Sequence, residues 1–316
     1  MVNTPTQKII GVIKIARPIH WTKNVSVFAA LVFSGYLFDK AAFFKVFWGF
    51  IVFNLASSAT YTFNDILDIK RDRMHPIKKN RPLAKGVLST TEALTLSASL
   101  AIVALLWAEA LSHLFFLLIA FYLLLQIAYS LYLKNLYIID ILIIASGFII
   151  RVYSGAFIIN AHLSVWFLLC VISVALFLAA GKRRAELGVI GDSGKTRKTL
   201  SRYSKELLDS YVTMFGSAAW MSWALFTFFE SPQASVPLWL FLSEVSKATT
   251  INKLLMITIP VTIFGIMRYQ SLIFESRSEA PERLLLTNKS LMTSVIIWIA
   301  LVVWILYGGQ STFRPY

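Results

Sequence analysis

The chain has 316 residues, 57% hydrophobic and 15% charged, with a mean hydropathy of +0.69 and a formal net charge of +14. Water-soluble domains carry roughly a quarter charged residues, so this composition excludes a soluble globular fold and indicates a polytopic membrane protein. One cysteine, Cys170, excludes a disulfide framework and a cysteine-rich metal centre, and the four histidines (His20, His75, His113, His162) show no metal-ligand spacing.

From the N-terminus, Met1 to Gln7 is polar and Lys8 to Ala16 has the pattern of an amphipathic lead-in, without a cleavable signal. Nine apolar blocks follow, at about 24–38, 44–63, 93–110, 112–133, 136–158, 164–181, 211–229, 251–268 and 290–307. A bilayer core takes about 20 residues as helix, and backbone in lipid must close its own hydrogen bonds. Each block is therefore predicted as a helix, with the short first block and the eighth open to being tilted or partial spans. The fold class is all-α: a bundle of about nine transmembrane helices in a single domain over 1–316. Two long charged loops, 64–90 and 182–209, interrupt it. Segment 231–250, with Pro232, Pro237 and Trp239, is expected along the outer interface.

Charge sets the orientation. With the N-terminus cytoplasmic, the inner segments hold 24 of the 30 lysines and arginines and the outer segments 5, with Arg151 inside the fifth block. Both long loops then face the cytoplasm, from a plasma-membrane protein. Positive-inside topology and anionic headgroups account for much of the net charge. An anionic substrate approached from the cytoplasm is the functional reading, and the placement of the charge in short loops argues against nucleic acid as a partner.

The most informative stretch follows the second block. Asp65, Asp68 and Asp72 are spaced i, i+3, i+7 and fall within an arc of roughly 60° on one helix face. Pro76 limits how far that helix runs. Three carboxylates on one face repel each other unless a cation sits among them. Hard oxygen donors suit magnesium, which keeps several waters and is completed by substrate phosphates. Asn64 stands beside them, and Arg73, His75, Lys78, Lys79 and Arg81 follow as candidate phosphate contacts. The competing reading is a solvated helix end with local ion pairs to Lys70 or Arg71.

Further on, Tyr129 and Lys134 lead into Asp140, and Arg151 lies inside an apolar span, where a charge is costly and normally faces a cavity or a partner. Asp140 and Arg151 are eleven residues apart, which returns to nearly the same helix face; a structural buried ion pair between them is the alternative to a functional role. Lys182 and Arg183 open the second loop at the mouth of the bundle. Topology explains most of that loop's charge, and these two are candidate phosphate contacts.

Asn64-Asp65 with Asp68 and Asp72, followed by a basic run after the second of nine spans, resembles the UbiA superfamily of intramembrane prenyltransferases. The opening Arg17-Pro18-Ile19-His20-Trp21-Thr22-Lys23-Asn24 and the run from Asp72-Arg73-Met74-His75-Pro76 to Arg81-Pro82-Leu83-Ala84-Lys85-Gly86 are similar to the branch of decaprenyl-phosphate phosphoribosyltransferases. The prenyltransferases carry a second Asp-x-x-x-Asp pair. Here Asp140 is followed by Ile144 four residues on, so the pair is not present as such, while Lys134, Asp140, Ser146-Gly147-Phe148 and Gly181-Lys182-Arg183 resemble the phosphoribosyl branch.

The resemblance implies a glycosyltransferase that uses Mg2+ to move a 5-phosphoribosyl group from phosphoribosyl diphosphate to a polyprenyl phosphate, releasing diphosphate. It implies Asp65, Asp68 and Asp72 as magnesium and diphosphate ligands oriented by Asn64, and Asp140 at ribose hydroxyls or a second metal. Arg73, His75, Lys78 and Arg81 would hold donor phosphates. Lys23, Lys134, Lys182 and Arg183 would hold the acceptor phosphate or the 5-phosphate. Membrane lipids are the remaining partners, and a homo-oligomer is left open. Two alternatives stand beside it: prenyl transfer from a prenyl diphosphate to an aromatic acceptor, and a non-enzymatic transporter or lipid-binding protein.

Overall fold

The computed structural model describes residues 4–74, 78–190, 202–230, 251–275, 284 and 287–308; His75, Pro76 and segment 231–250 lie outside them. Every regular element among the described residues is a helix, and none is a strand. The helices are Pro5–Ala16 (α1), Ala29–Phe33 (α2), Lys40–Met74 (α3), Thr90–Leu111 (α4), His113–Leu131 (α5), Ile139–Ile159 (α6), Val165–Ile190 (α7), Lys205–Phe229 (α8), Ile259–Phe274 (α9) and Lys289–Tyr307 (α10). Among the described residues, eight stretches are long and apolar enough to cross a membrane: α3 to α6, Val165–Gly188 of α7, α8, Lys253–Phe274 and α10.

The first apolar block, 24–38, does not form such a helix. It is split between a 3-10 run, Pro18–Phe28, and the five-residue α2. Its polar side chains explain the break. The Asn24 amide donates to Asn54 and Ser57, and the Ser26 hydroxyl bonds back to the Lys23 carbonyl at 2.8 Å. Gly35, at φ 83°, then turns the chain toward α3.

α3 is the element that matters most for the site. Its 35 residues span about 52 Å at 1.5 Å per residue, against a hydrocarbon core of about 30 Å. The helix is thus some 20 Å longer than the apolar layer is thick, and its polar end from Asn64 to Met74, about 16 Å long, matches most of that excess. The described part of the helix runs to Met74, and Pro76, expected from the sequence to limit it, lies outside the described residues. α4 starts cleanly because Ser89 and Glu92 form a reciprocal capping box, and Thr4 and Gln7 do the same for α1.

Packing divides the chain into two units. The first comprises Met1–Ala29, Phe44–Ile143 and Ile150–Asn160. Within it α3 approaches α6 so closely that a Cβ on Gly49 would lie 2.2 Å from Ile158 Cδ1, the small-residue contact by which helices associate when lipid supplies no hydrophobic drive. Phe53 packs on Tyr122 with ring centroids 5.0 Å apart, and the Ser97 hydroxyl on α4 donates to the Ala59 carbonyl on α3. α1 rests on the loop after α3 through a seam of Ile15, Leu83, Leu88 and Ala93.

The second unit comprises Ala30–Phe43, Ile144–Ile149 and Ala161–Tyr316. Phe177, Val212, Tyr269, Leu272 and Ile273 join α7, α8 and α9 in one core. At Gly181 on α7 a Cβ would sit 2.6 Å from Ile273 Cδ1. An aromatic group of Phe33, Phe167, Trp223, Phe226 and Trp298 ties α2 to α7, α8 and α10, and the Tyr307 hydroxyl donates to the Val32 carbonyl at 2.6 Å.

Candidate active site

The site grows from the polar end of α3, inside the first unit. Asp65, Asp68 and Asp72 share one helix face, as their spacing predicts, and all three are buried, at 2%, 6% and 4% exposure. Buried carboxylates require partners, since an unpaired buried charge costs several kcal/mol. Each has one, and the partners come from three separate segments.

Arg81 reaches back from the loop after α3. The 3-10 turn Lys78–Asn80 and the bonds from Lys85 N to Arg81 O and from Val87 N to Pro82 O fold that loop tightly, with Gly86 at φ 75° supplying the left-handed residue. Leu83 and Leu88 anchor it in the seam under α1. So held, Arg81 Nη1 donates to Asp65 Oδ1 at 3.0 Å and to Asp72 Oδ2 at 2.6 Å, bridging two turns of α3. Lys134 enters from the 3-10 turn after α5, Leu133–Asn135. Its ammonium is itself buried and donates to Asp68 Oδ1 at 3.0 Å, with the Asn64 carbonyl oxygen at 3.5 Å; the Asn64 amide in turn donates to Asp68 Oδ2 at 3.1 Å.

The third partner is Arg17, whose guanidinium pairs with Asp65 and lies 5.2 Å from the Tyr61 ring centroid. Arg17 has φ 53° and ψ 61°, ending α1 in the left-handed region before Pro18 opens the 3-10 run. A non-glycine residue there costs on the order of 1–3 kcal/mol and persists only where its surroundings over-determine it. The sequence motif containing Arg17 is conspicuous, yet nothing local in it points to Asp65, 48 residues away.

Deeper along α3 lies a second polar cluster. Arg151, 5% exposed, donates from Nε to Asn24 Oδ1 at 2.6 Å and from Nη2 to the Tyr122 hydroxyl at 3.1 Å, with its guanidinium against the Phe53 and Tyr122 rings. Asn24 passes the network on to Asn54 and Ser57. The pairing of Arg151 with Asp140 that a shared helix face suggested does not occur: three turns of α6 separate them by about 16 Å. Asp140 is buried in the first turn of α6, where the helix dipole favours a carboxylate, just after Ile138 at φ 68°.

The other candidates are divided between the two units. Lys23, Tyr129 and Lys78 are half-buried in the first unit. Arg73 is exposed and lines a surface cavity of about 450 Å³ with Lys8, Leu83, Gly86 and Glu92, away from the aspartate face. Lys182 and Arg183 belong to the second unit, on the last turns of α7, where buried Arg183 pairs with Glu186. The neighbouring Arg184, which sequence reasoning passed over as a loop charge, is 1% exposed, pairs with Asp209 of α8 and lies over the Phe274 ring.

The solvated helix end is thus ruled out by burial. Exposed Arg71, at 3.6 Å from Asp68, makes a local ion pair of the kind that reading expected. Among the described residues no three Asp, Glu, His or Cys side chains converge closely enough to hold a metal ion. The ligand set expected of Asp65, Asp68 and Asp72 is therefore not preformed in the chain alone. Its chemistry still fits a hard divalent cation, being three carboxylates and an amide oxygen on one face.

Comparison with known proteins agrees with this architecture. Residues 24–243 match the UbiA prenyltransferase family. Decaprenyl-phosphate phosphoribosyltransferase of Mycolicibacterium smegmatis is 35% identical over 304 residues, covering 94% of this chain and 93% of the relative. The enzyme of that name from Corynebacterium glutamicum is 33% identical, covering 94% and 87%. A UbiA homolog from Archaeoglobus fulgidus, solved bound to GPP and Mg2+, shares the fold with a TM-score of 0.66 at 17% identity, over 96% of this chain and 100% of that one. The chain belongs to the UbiA prenyltransferase family, as a multi-pass membrane protein.

Proposed function

We propose that this protein is a polyprenyl-phosphate phosphoribosyltransferase, moving a 5-phosphoribosyl group from phosphoribosyl diphosphate to a lipid phosphate such as decaprenyl phosphate. What carries the reading is the likeness to decaprenyl-phosphate phosphoribosyltransferases along 94% of the chain. The cluster at the end of α3 supports it. In the reaction the bond between ribose C1 and the diphosphate oxygen breaks, and an oxygen of the lipid phosphate forms the new bond to C1. The acceptor is already anionic, so no strong general base is called for. The positive character that C1 gains and the negative charge on the leaving diphosphate are what the site must stabilise.

A bound magnesium would supply neutralisation of the departing diphosphate. Asp65, Asp68 and Asp72 are the residues that would hold it, with Asn64 orienting Asp68 through its amide. Arg81 and Lys134 stand next to these carboxylates and are assigned to the donor diphosphate, with Lys78 and His75 as further donor contacts. Arg151, in its buried network, is assigned to the ribosyl 5-phosphate, and Asp140 to ribose hydroxyls. Lys23, Tyr129, Lys182 and Arg183 are assigned to substrate contacts, the lysines and arginine to phosphate. The distribution of Lys and Arg supports an active site facing the cytoplasm from the plasma membrane.

The test is transfer itself. Purified protein in detergent, with Mg2+, polyprenyl phosphate and radiolabelled phosphoribosyl diphosphate, is expected to carry label into the organic phase. Asp68→Asn keeps an oxygen for Lys134 yet removes the charge, and should lower turnover by at least about a hundredfold, a loss of roughly 2.7 kcal/mol in barrier stabilisation. No transfer of label, with a prenyl diphosphate consumed in a parallel assay with an aromatic acceptor, would move the function to prenyl transfer.

A further inference from the structure

Asp65, Asp68 and Asp72 carry three negative charges, and Arg17, Arg81 and Lys134 bring three positive charges into direct contact with them. As folded, these three cations match the carboxylate charge, exposed Arg71 adds a further cation 3.6 Å from Asp68, and each carboxylate has at least one oxygen engaged. We infer that Arg17, Arg81 and Lys134 are resident counter-ions that hold the aspartates until a divalent cation arrives together with a diphosphate, and that they then exchange carboxylate for phosphate. The inference rests on the metal and diphosphate reading of this site.

The argument is one of charge and burial. A divalent cation entering alone would take carboxylate oxygens from three buried or half-buried cations and leave them without an anion, in surroundings where an unpaired charge is costly. A diphosphate entering alone would face the three carboxylates. Together the two bring nearly cancelling charge, and each supplies the partner that the other displaces. Cation and diphosphate should therefore bind with positive coupling, and by linkage each should raise the affinity of the other by the same factor.

Arg17 is the most informative of the three, because nothing in its role depends on the basic loop after α3. It comes from the end of α1, it is held at φ 53°, and it pairs with Asp65 while its guanidinium lies over the Tyr61 ring. A merely structural Arg17 would clamp α1 to α3, as the Lys8 to Glu92 ion pair at 2.6 Å clamps α1 to α4. A counter-ion Arg17 instead competes with the metal. The two roles predict opposite changes in metal affinity when the charge is removed.

The experiment measures Mn2+ binding by electron paramagnetic resonance to the full chain in detergent, with and without inorganic pyrophosphate. The native chain is expected to bind Mn2+ more tightly with pyrophosphate present, by a factor on the order of 5–150. Arg17→Gln should tighten Mn2+ binding in the absence of pyrophosphate by about tenfold and shrink the coupling factor correspondingly. Arg17→Lys, which keeps the charge, should restore the native behaviour, and Lys8→Ala should leave the coupling unchanged. Equal Mn2+ affinity with and without pyrophosphate in the native chain would overturn the exchange, as would weaker Mn2+ binding in Arg17→Gln under both conditions. Absence of Mn2+ binding even with pyrophosphate would instead overturn the metal and diphosphate reading on which it rests.

Discussion

At the scale of single residues, burial is what changes the meaning of the acidic motif. Asp68 is 6% exposed and Lys134 4%, so the ion pair between them sits where breaking it from one side leaves a charge with little solvent. Lys134→Met is therefore expected to destabilise the ligand-free protein by about 3–5 kcal/mol, read as a lower melting temperature in detergent. Adding Asp68→Asn to Lys134→Met should recover a large part of that loss, because the stranded charge is gone; additive losses in the double variant would show that the two side chains are not coupled. Arg151 donates to Asn24 and Tyr122 and lies against two aromatic faces. The sequence marked Arg151 as costly in a span, but the identity of its partners, 127 and 29 residues away, was not legible there.

At the scale of elements, hydropathy was sufficient for most of the helices. The α3 motif lies on one face because the i, i+3, i+7 spacing of a regular helix puts it there. The block at 24–38 shows where this reasoning stops. Its apolar content resembles that of a span, yet Asn24 is drawn into the network around Arg151 and the segment winds as a 3-10 run instead. Contacts of this kind are long-range, so local pattern cannot register them. Helix packing is also invisible to hydropathy, and Gly49 provides the test. Gly49→Ala would place a Cβ 2.2 Å from Ile158 Cδ1 and is expected to cost about 1–3 kcal/mol through overpacking. Combining it with Ile158→Val, which removes the clashing methyl, should restore much of the thermal stability. If Ile158→Val brings no recovery, the close approach of α3 and α6 is not what Gly49 serves.

At the scale of the whole molecule, the eight membrane-length helices among the described residues and the family membership agree on a multi-pass protein, and the distribution of Lys and Arg predicts a cytoplasmic N-terminus. Lys79 lies in the basic loop and Lys45 near the start of α3, and both are exposed. Cys170 is the only native cysteine, so in a Cys170→Ser background Lys45→Cys should react with a membrane-impermeant maleimide on intact cells. Lys79→Cys should react only after permeabilisation. The reverse pattern would overturn a cytoplasmic N-terminus and place the aspartate cluster on the outer face.

Composition and periodicity by themselves determined the membrane class, most of the helices, the shared face of Asp65, Asp68 and Asp72, and the candidacy of the basic residues around them. These are properties of local chain geometry and of transfer between water and lipid, and both are written residue by residue. Tertiary structure alone decided which cations meet which carboxylates: Arg17 across 48 residues, Arg81 across 16 and Lys134 across 66. It also decided that Arg151 pairs with Asn24 and Tyr122 and that Arg184 is buried against Asp209. Coulomb attraction does not depend on sequence separation, so an ion pair is specified by the fold that brings its two ends together.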